Sequence, residues 1–101
     1  MTAPTAIEDV IVSHIPNAWV IVQDPQQDGQ HFEAIVISDQ FNDQSLLNQH
    51  KMVMQPLKAA FNESVHALAL KTFSMTRWQQ VKDNYPKIAE IIKEKYQHDN
   101  P

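Results

Sequence analysis

The sequence predicts an α+β fold of order α-β-β-α(α)-β-α, a three-stranded sheet covered by helices. Three observations predict it. Apolar residues recur at helical spacing at both ends of the chain. Two short runs rich in β-branched residues, Ala18–Val22 and His31–Ser38, flank a polar loop. A third strand, Ser64–Phe73, in which Val65, Ala67 and Ala69 alternate with His66, Leu68 and Leu70, follows a long helical segment.

Thr5-Ala6-Ile7-Glu8 has the spacing of a capping box, in which hydroxyl and carboxylate each satisfy a free N–H. Ile7, Val10, Ile11 and Ile15 then form one apolar stripe, which Pro16 stops. The loop Gln23 to Gln30 carries Pro25 and the only glycine, Gly29, and joins the first two strands as a hairpin. Phe41 is an apolar anchor in the polar connection that follows, where Asp43 or Ser45 can cap the next helix. That helix is expected over Leu46–Phe61, with Leu46, Leu47, Val53, Met54, Leu57 and Phe61 toward the core. Pro56 predicts a kink or two helices there, since an interior proline costs about 3 kcal/mol. Thr76 is the expected cap of the last helical region, in which Trp78, Val81, Tyr85, Ile88 and Ile92 recur, with a break near Pro86. The Gln79–Pro101 region is expected as a solvated helix packed at the sheet edge.

With 101 residues, 43% hydrophobic and 20% charged, the chain suits one small globular domain with a thin core and little room for a deep substrate pocket. The formal charge of -4 and the single arginine, Arg77, argue against binding nucleic acid through net charge. No cysteine is present, so the chain can ligate metal only through His, Asp or Glu. The N-terminal segment has no basic residue and no apolar run, and no stretch approaches the roughly 20 apolar residues of a spanning helix. A cytoplasmic location without membrane contact is the expectation. No acid/base dyad, Ser-centred nucleophile motif or Gly-rich phosphate loop is visible, so an enzyme is not expected.

Several residues then stand in a familiar order. They are Pro16-Asn17-Ala18, His31-Phe32, Ile37-Ser38 with Phe41, Ser45, Gln49-His50-Lys51, Pro56-Leu57, His66-Ala67-Leu68 and Trp78. Together they resemble the BolA family from about Ile7 to Trp78. The resemblance implies a fold like a type II KH domain, formed by a BolA-like domain over 1-78 with 79-101 as a helical extension of it. It implies an adaptor that partners a monothiol glutaredoxin and co-ligates a [2Fe-2S] cluster. The glutaredoxin cysteine and glutathione would give two sulfur ligands; this chain would give His66 and, from the loop between the first two strands, His31. Alone, the chain is expected to be a monomer or weak homodimer without a cofactor. Two positions depart from the family pattern: Gln49 replaces a basic residue, and Asn42-Asp43 replaces the glycine after Phe41.

Each histidine also has a plainer reading. His66 at a strand start is ordinarily structural or solvated. His31 can be a strand-edge histidine with a hydrogen-bonded ring, with Asp24, Asp28 or water competing as ligand or supporting the ring from behind. His50 reads as a helix-surface residue, and His14 and His98 as solvated. The alternative function is a nucleic-acid-binding transcriptional regulator. A KH domain clamps the backbone with a G-x-x-G loop, which a chain with one glycine cannot form.

Overall fold

The computed structural model describes residues 3–61 and 67–97. Helix α1 spans Pro4–His14. It begins at Pro4 because a proline's fixed φ and missing N–H suit the first helical position. Thr5 therefore lies inside the helix, Ala3 is the N-cap, and the expected capping box does not form. Ile7 and Ile11 are fully buried, and Ile15 ends the helix by donating its N–H to the Ile11 carbonyl at 2.8 Å.

Asn17, in the left-handed region at φ 69°, turns the chain into β1, Trp19–Gln23. This strand pairs antiparallel with β2, His31–Ile37, from Trp19 opposite Ile37 to Gln23 opposite Glu33, as the expected hairpin requires. β3, Ala67–Phe73, pairs parallel with β2, so the strand order is β1-β2-β3. Parallel neighbours need a crossover. A 3-10 turn, Asp39–Phe41, and helix α2, Leu46–Phe61, supply it. Phe41 is buried as expected, and Ser45, not Asp43, caps α2 by accepting from the Asn48 N–H at 3.1 Å. Asp43 sits at φ 62° instead, a conformation aspartate tolerates, and takes the turn that a glycine would otherwise serve.

For α2 one choice is decided and one expectation corrected. Of a kinked helix or two helices, the chain forms one helix with Pro56 inside it. Pro56 cannot donate to the Met52 carbonyl, but Val53 and Leu57 on either side are buried in the core and hold the helix there. Leu46 and Leu47 are 61% and 65% exposed, not core. The helix meets the sheet only from Gln49, where the Thr72 hydroxyl donates to Gln49 Oε1 at 2.7 Å, so the turn before it overhangs.

The sheet is covered on both faces. Side chains alternate along a strand, which sends Val20, Phe32 and Val36 to the α1/α2 side and Ile21, Ile35 and Ile37 to the other. The second face packs against Trp78 and Val81 of α3, Met75–Val81, and Ile92 of α4, Pro86–Tyr96. Ser74 rather than Thr76 caps α3, its hydroxyl accepting from the Arg77 N–H at 3.1 Å. A 3-10 turn, Lys82–Asn84, then gives way to α4 at Pro86, where the break was expected. The C-terminal helix thus lies on a sheet face rather than solvated at its edge. The order becomes α-β-β-α-β-α-α, still a three-stranded α+β sheet with helices packed on it.

The end of α4 also closes the free edge of β1. The Val20 N–H donates to the Tyr96 hydroxyl at 3.1 Å, and that hydroxyl and Lys95 Nζ donate to the Val20 carbonyl at 3.2 and 3.1 Å. Tyr96 thereby occupies both backbone groups that a neighbouring strand would use. A Tyr96→Phe variant keeps the ring on Trp19 but frees the Val20 N–H. It is expected to lose about 1 kcal/mol in urea unfolding, with faster amide exchange at Val20. Unchanged Val20 exchange would show that the hydroxyl does not guard the edge.

Candidate functional site

The loop between β1 and β2 is organised by two aspartates. The Asp24 carboxylate accepts the Gly29 N–H at 2.9 Å and the Asp28 N–H at 3.2 Å, and its carbonyl accepts the Gln27 N–H at 3.0 Å. This curls the chain tightly enough that Gln27 and Gly29 adopt φ of 54° and 67°. At Gly29 the missing Cβ makes that conformation free of steric cost. The curl brings Asp28 under the start of β2. There Asp28 Oδ1 accepts the Gln30 and His31 N–H groups at 2.9 and 3.0 Å, and Oδ2 lies 2.6 Å from His31 Nδ1.

This geometry sets the chemistry of both side chains. The backbone N–H of His31, then that of Gln30, then the imidazole hold the Asp28 carboxyl far below the usual carboxylate range. An ionised Asp28 accepts only, so His31 Nδ1 carries the proton toward it, and whenever the ring is neutral its lone pair is on Nε2. Among the described residues Nε2 has no hydrogen-bond partner, and the side chain is 51% exposed. His31 is therefore a half-exposed imidazole held at Nδ1 by a carboxylate, with Nε2 left as its available nitrogen. That is the support metal-ligating histidines ordinarily have. Asp28 is spent on this support and on the loop N–H groups rather than competing as a ligand, and Asp24 is likewise engaged. A recess of about 410 Å³ lies beside the ring, bounded by Pro25, Gln26, Leu68 and Ala69.

His31 pairs across the sheet with Ala67. His66 directly precedes Ala67 in the chain and lies outside the described residues, so its place relative to His31 does too. Among the described residues no three His, Cys, Asp or Glu side chains gather to hold a metal ion. His50 is half-buried on α2, His14 is exposed with Nδ1 3.0 Å from the Val10 carbonyl, and His98 lies outside the described residues. Gln49, which departs from the family pattern, ties the α2 start to the preceding turn, donating to the Gln44 carbonyl at 3.0 Å. No helix among the described residues is long and apolar enough to cross a membrane.

Comparison with known proteins gives a consistent result. A family profile described as BolA-like protein matches residues 7–77. The DNA-binding transcriptional regulator BolA of Escherichia coli K12 is 34% identical over 59 residues, 58% of this chain and 56% of that protein. The chain thus spans little more than half the length of that relative. Uncharacterized protein RP812 of Rickettsia prowazekii is 36% identical over 70 residues, 68% of this chain and 90% of its own length. The structure of a bolA protein homologue from Coxiella burnetii superposes with a TM-score of 0.67 at 30% identity, covering 78% of this chain and 99% of that one. These relatives bear the names of a regulator, an uncharacterized protein and a homologue; none is named as an enzyme.

Proposed function

Because the chain belongs to the BolA-like protein family, we propose that it is an adaptor that binds a monothiol glutaredoxin and co-ligates a [2Fe-2S] cluster through His31 and His66. The observation that carries this reading is the half-exposed His31 ring, held at Nδ1 by Asp28. The donor set suits such a cluster: neutral imidazole binds iron, and the glutaredoxin cysteine with glutathione would supply the thiolates this chain lacks. Imidazole in place of thiolate raises a cluster's reduction potential, which fits iron or redox sensing and cluster trafficking. The chain's own part is to hold the proton on His31 Nδ1, so that the neutral ring offers Nε2, and to fix the ring from the Asp24–Gln30 loop. We place this function in the cytoplasm.

The test is visible absorption and circular dichroism of the chain mixed with a cluster-loaded monothiol glutaredoxin. A new heterodimer spectrum is expected, lost in His66→Ala and altered in His31→Ala. An unchanged glutaredoxin spectrum, with no complex on sizing, overturns the reading.

A second reading, a nucleic-acid-binding regulator, is favoured by the name of the Escherichia coli relative, a DNA-binding transcriptional regulator. Against it stand the formal charge of -4, the single arginine, whose guanidinium donates to Gln80, and a lone Gly29 already used in the His31 loop. Retardation of DNA or RNA at physiological salt would move this reading to the front.

A further inference from the structure

Helix α4 crosses the second sheet face from β3 to β1. Tyr85, just before it, packs its ring 5.8 Å from Phe73 of β3, and Tyr96 at its end stacks 6.0 Å from Trp19 of β1. Trp19, Ile37 and Phe73 are in register across the strands, so the helix covers that end of the face. In the next two rows, Ile21–Ile35–Lys71 and Gln23–Glu33–Ala69, Ile21 and Ile35 are buried, while Gln23, Glu33, Ala69 and Lys71 are exposed. Between them and the first turn of α4 opens a groove of about 610 Å³. That volume is in the range of small-molecule sites, in a domain that otherwise has little room for one. Ile21, Ile35 and Ala69 form its bed, and Tyr85, Pro86 and Ile88 its wall. Ala69 leaves the space open where a larger side chain would fill it.

The polar groups on the groove are unevenly placed. Lys71 lies on β3 two residues before Phe73, and Lys87 two residues after Tyr85. Because Phe73 and Tyr85 pack together, Lys71 and Lys87 both belong to the β3 side of the groove lining. Gln23, on β1, marks the opposite side with a neutral amide. Glu33 sits on the central strand, between the groove and His31. None of these three charged side chains is in an ion pair among the described residues.

We propose that this groove binds an amphipathic carboxylate, its apolar chain on Ile21, Ile35 and Ile88 and its anionic head at Lys71 and Lys87. Two ammonium groups against one carboxylate favour an anion over a cation, and the apolar bed selects a hydrocarbon or aryl body over a sugar or nucleotide. The groove adjoins the recess beside His31, sharing Glu33 and Ala69 with it, but does not depend on any metal role for that ring.

The test is a titration of the full chain, below micellar concentrations, with decanoate, decanol and decyltrimethylammonium, followed by the methyl signals of Ile21, Ile35 and Ile88. Decanoate is expected to shift these signals saturably, with decanol about fivefold weaker, the preference two exposed ion pairs allow. Lys71→Gln with Lys87→Gln is expected to remove that preference, and Ala69→Phe to block both ligands. If Ala69→Phe does not fold, the lysine pair decides, since both residues are on the surface. No saturable shift with decanoate, equal binding of decanol to the unaltered chain, or tighter binding of the cationic probe overturns the proposal.

Discussion

Trp78→Ala is expected to cost about 3–5 kcal/mol, the ordinary cost of removing a large aromatic from a packed core. Small domains have roughly 5–15 kcal/mol in all, so the variant should be close to unfolding. The expectation follows from where the ring sits. Trp78 is 2% exposed, packs 5.8 Å from Phe73 and 6.1 Å from Tyr85, and joins Ile21, Ile35 and Ile37 of the sheet with Val81 and Ile92 of the last two helices. Its removal leaves a cavity between the strands and a layer that α3 and α4 alone provide. Leu47→Ala, at a residue 65% exposed, is the control and should stay within about 0.5 kcal/mol. Urea unfolding followed by near- and far-ultraviolet circular dichroism checks both. A loss under about 1 kcal/mol, or a separate early transition for the C-terminal helices, would show that the second face is an appendage rather than part of one cooperative core.

The strands were legible because their chemistry is local. Ala18–Val22 and His31–Ser38 are β-branched and bounded by turn residues, and the register confirms the hairpin. Their near-continuous apolar character also carried a message about layering, since strands buried on both faces read that way. What covers each face was not local. Ile88 and Ile92 repeat at helical spacing wherever that helix docks, so the placement of α4 on the sheet depended on tertiary packing. Leu46 shows the converse: it has the right phase for the core but lies one turn before α2 reaches the sheet. Caps failed where two hydroxyls competed. Ser74 took the position read for Thr76 because β3 ends at Phe73, one residue before it. At the site, the resemblance named His31, but nothing in the local pattern required Asp28 to reach back to its ring. That contact depends on left-handed conformations at Gln27 and Gly29, and only the glycine advertises one.

If the proposed function holds, Asp28→Ala is expected to weaken the cluster co-ligated with glutaredoxin about 10–100-fold, the usual cost of removing the carboxylate behind a ligating histidine. Asp28 acts on His31 in two ways. Oδ1 gathers the Gln30 and His31 N–H groups and so fixes the backbone from which the ring projects, while Oδ2 fixes the tautomer and the ring direction. Asp28→Asn keeps an acceptor of the same shape without the charge, so it should fall between Asp28→Ala and the unaltered chain. The order is read from chelator-driven loss of the heterodimer's visible spectrum. A double-mutant cycle then separates a role through the ring from a role through the loop. If Asp28 works by orienting His31, adding Asp28→Ala to His31→Ala costs little more, because the group it positions is already gone. If the two losses add, Asp28 supports the complex through loop shape rather than by orienting the His31 ring. A cluster insensitive to Asp28→Ala would remove His31 from the ligand set and leave His66 as the chain's sole candidate.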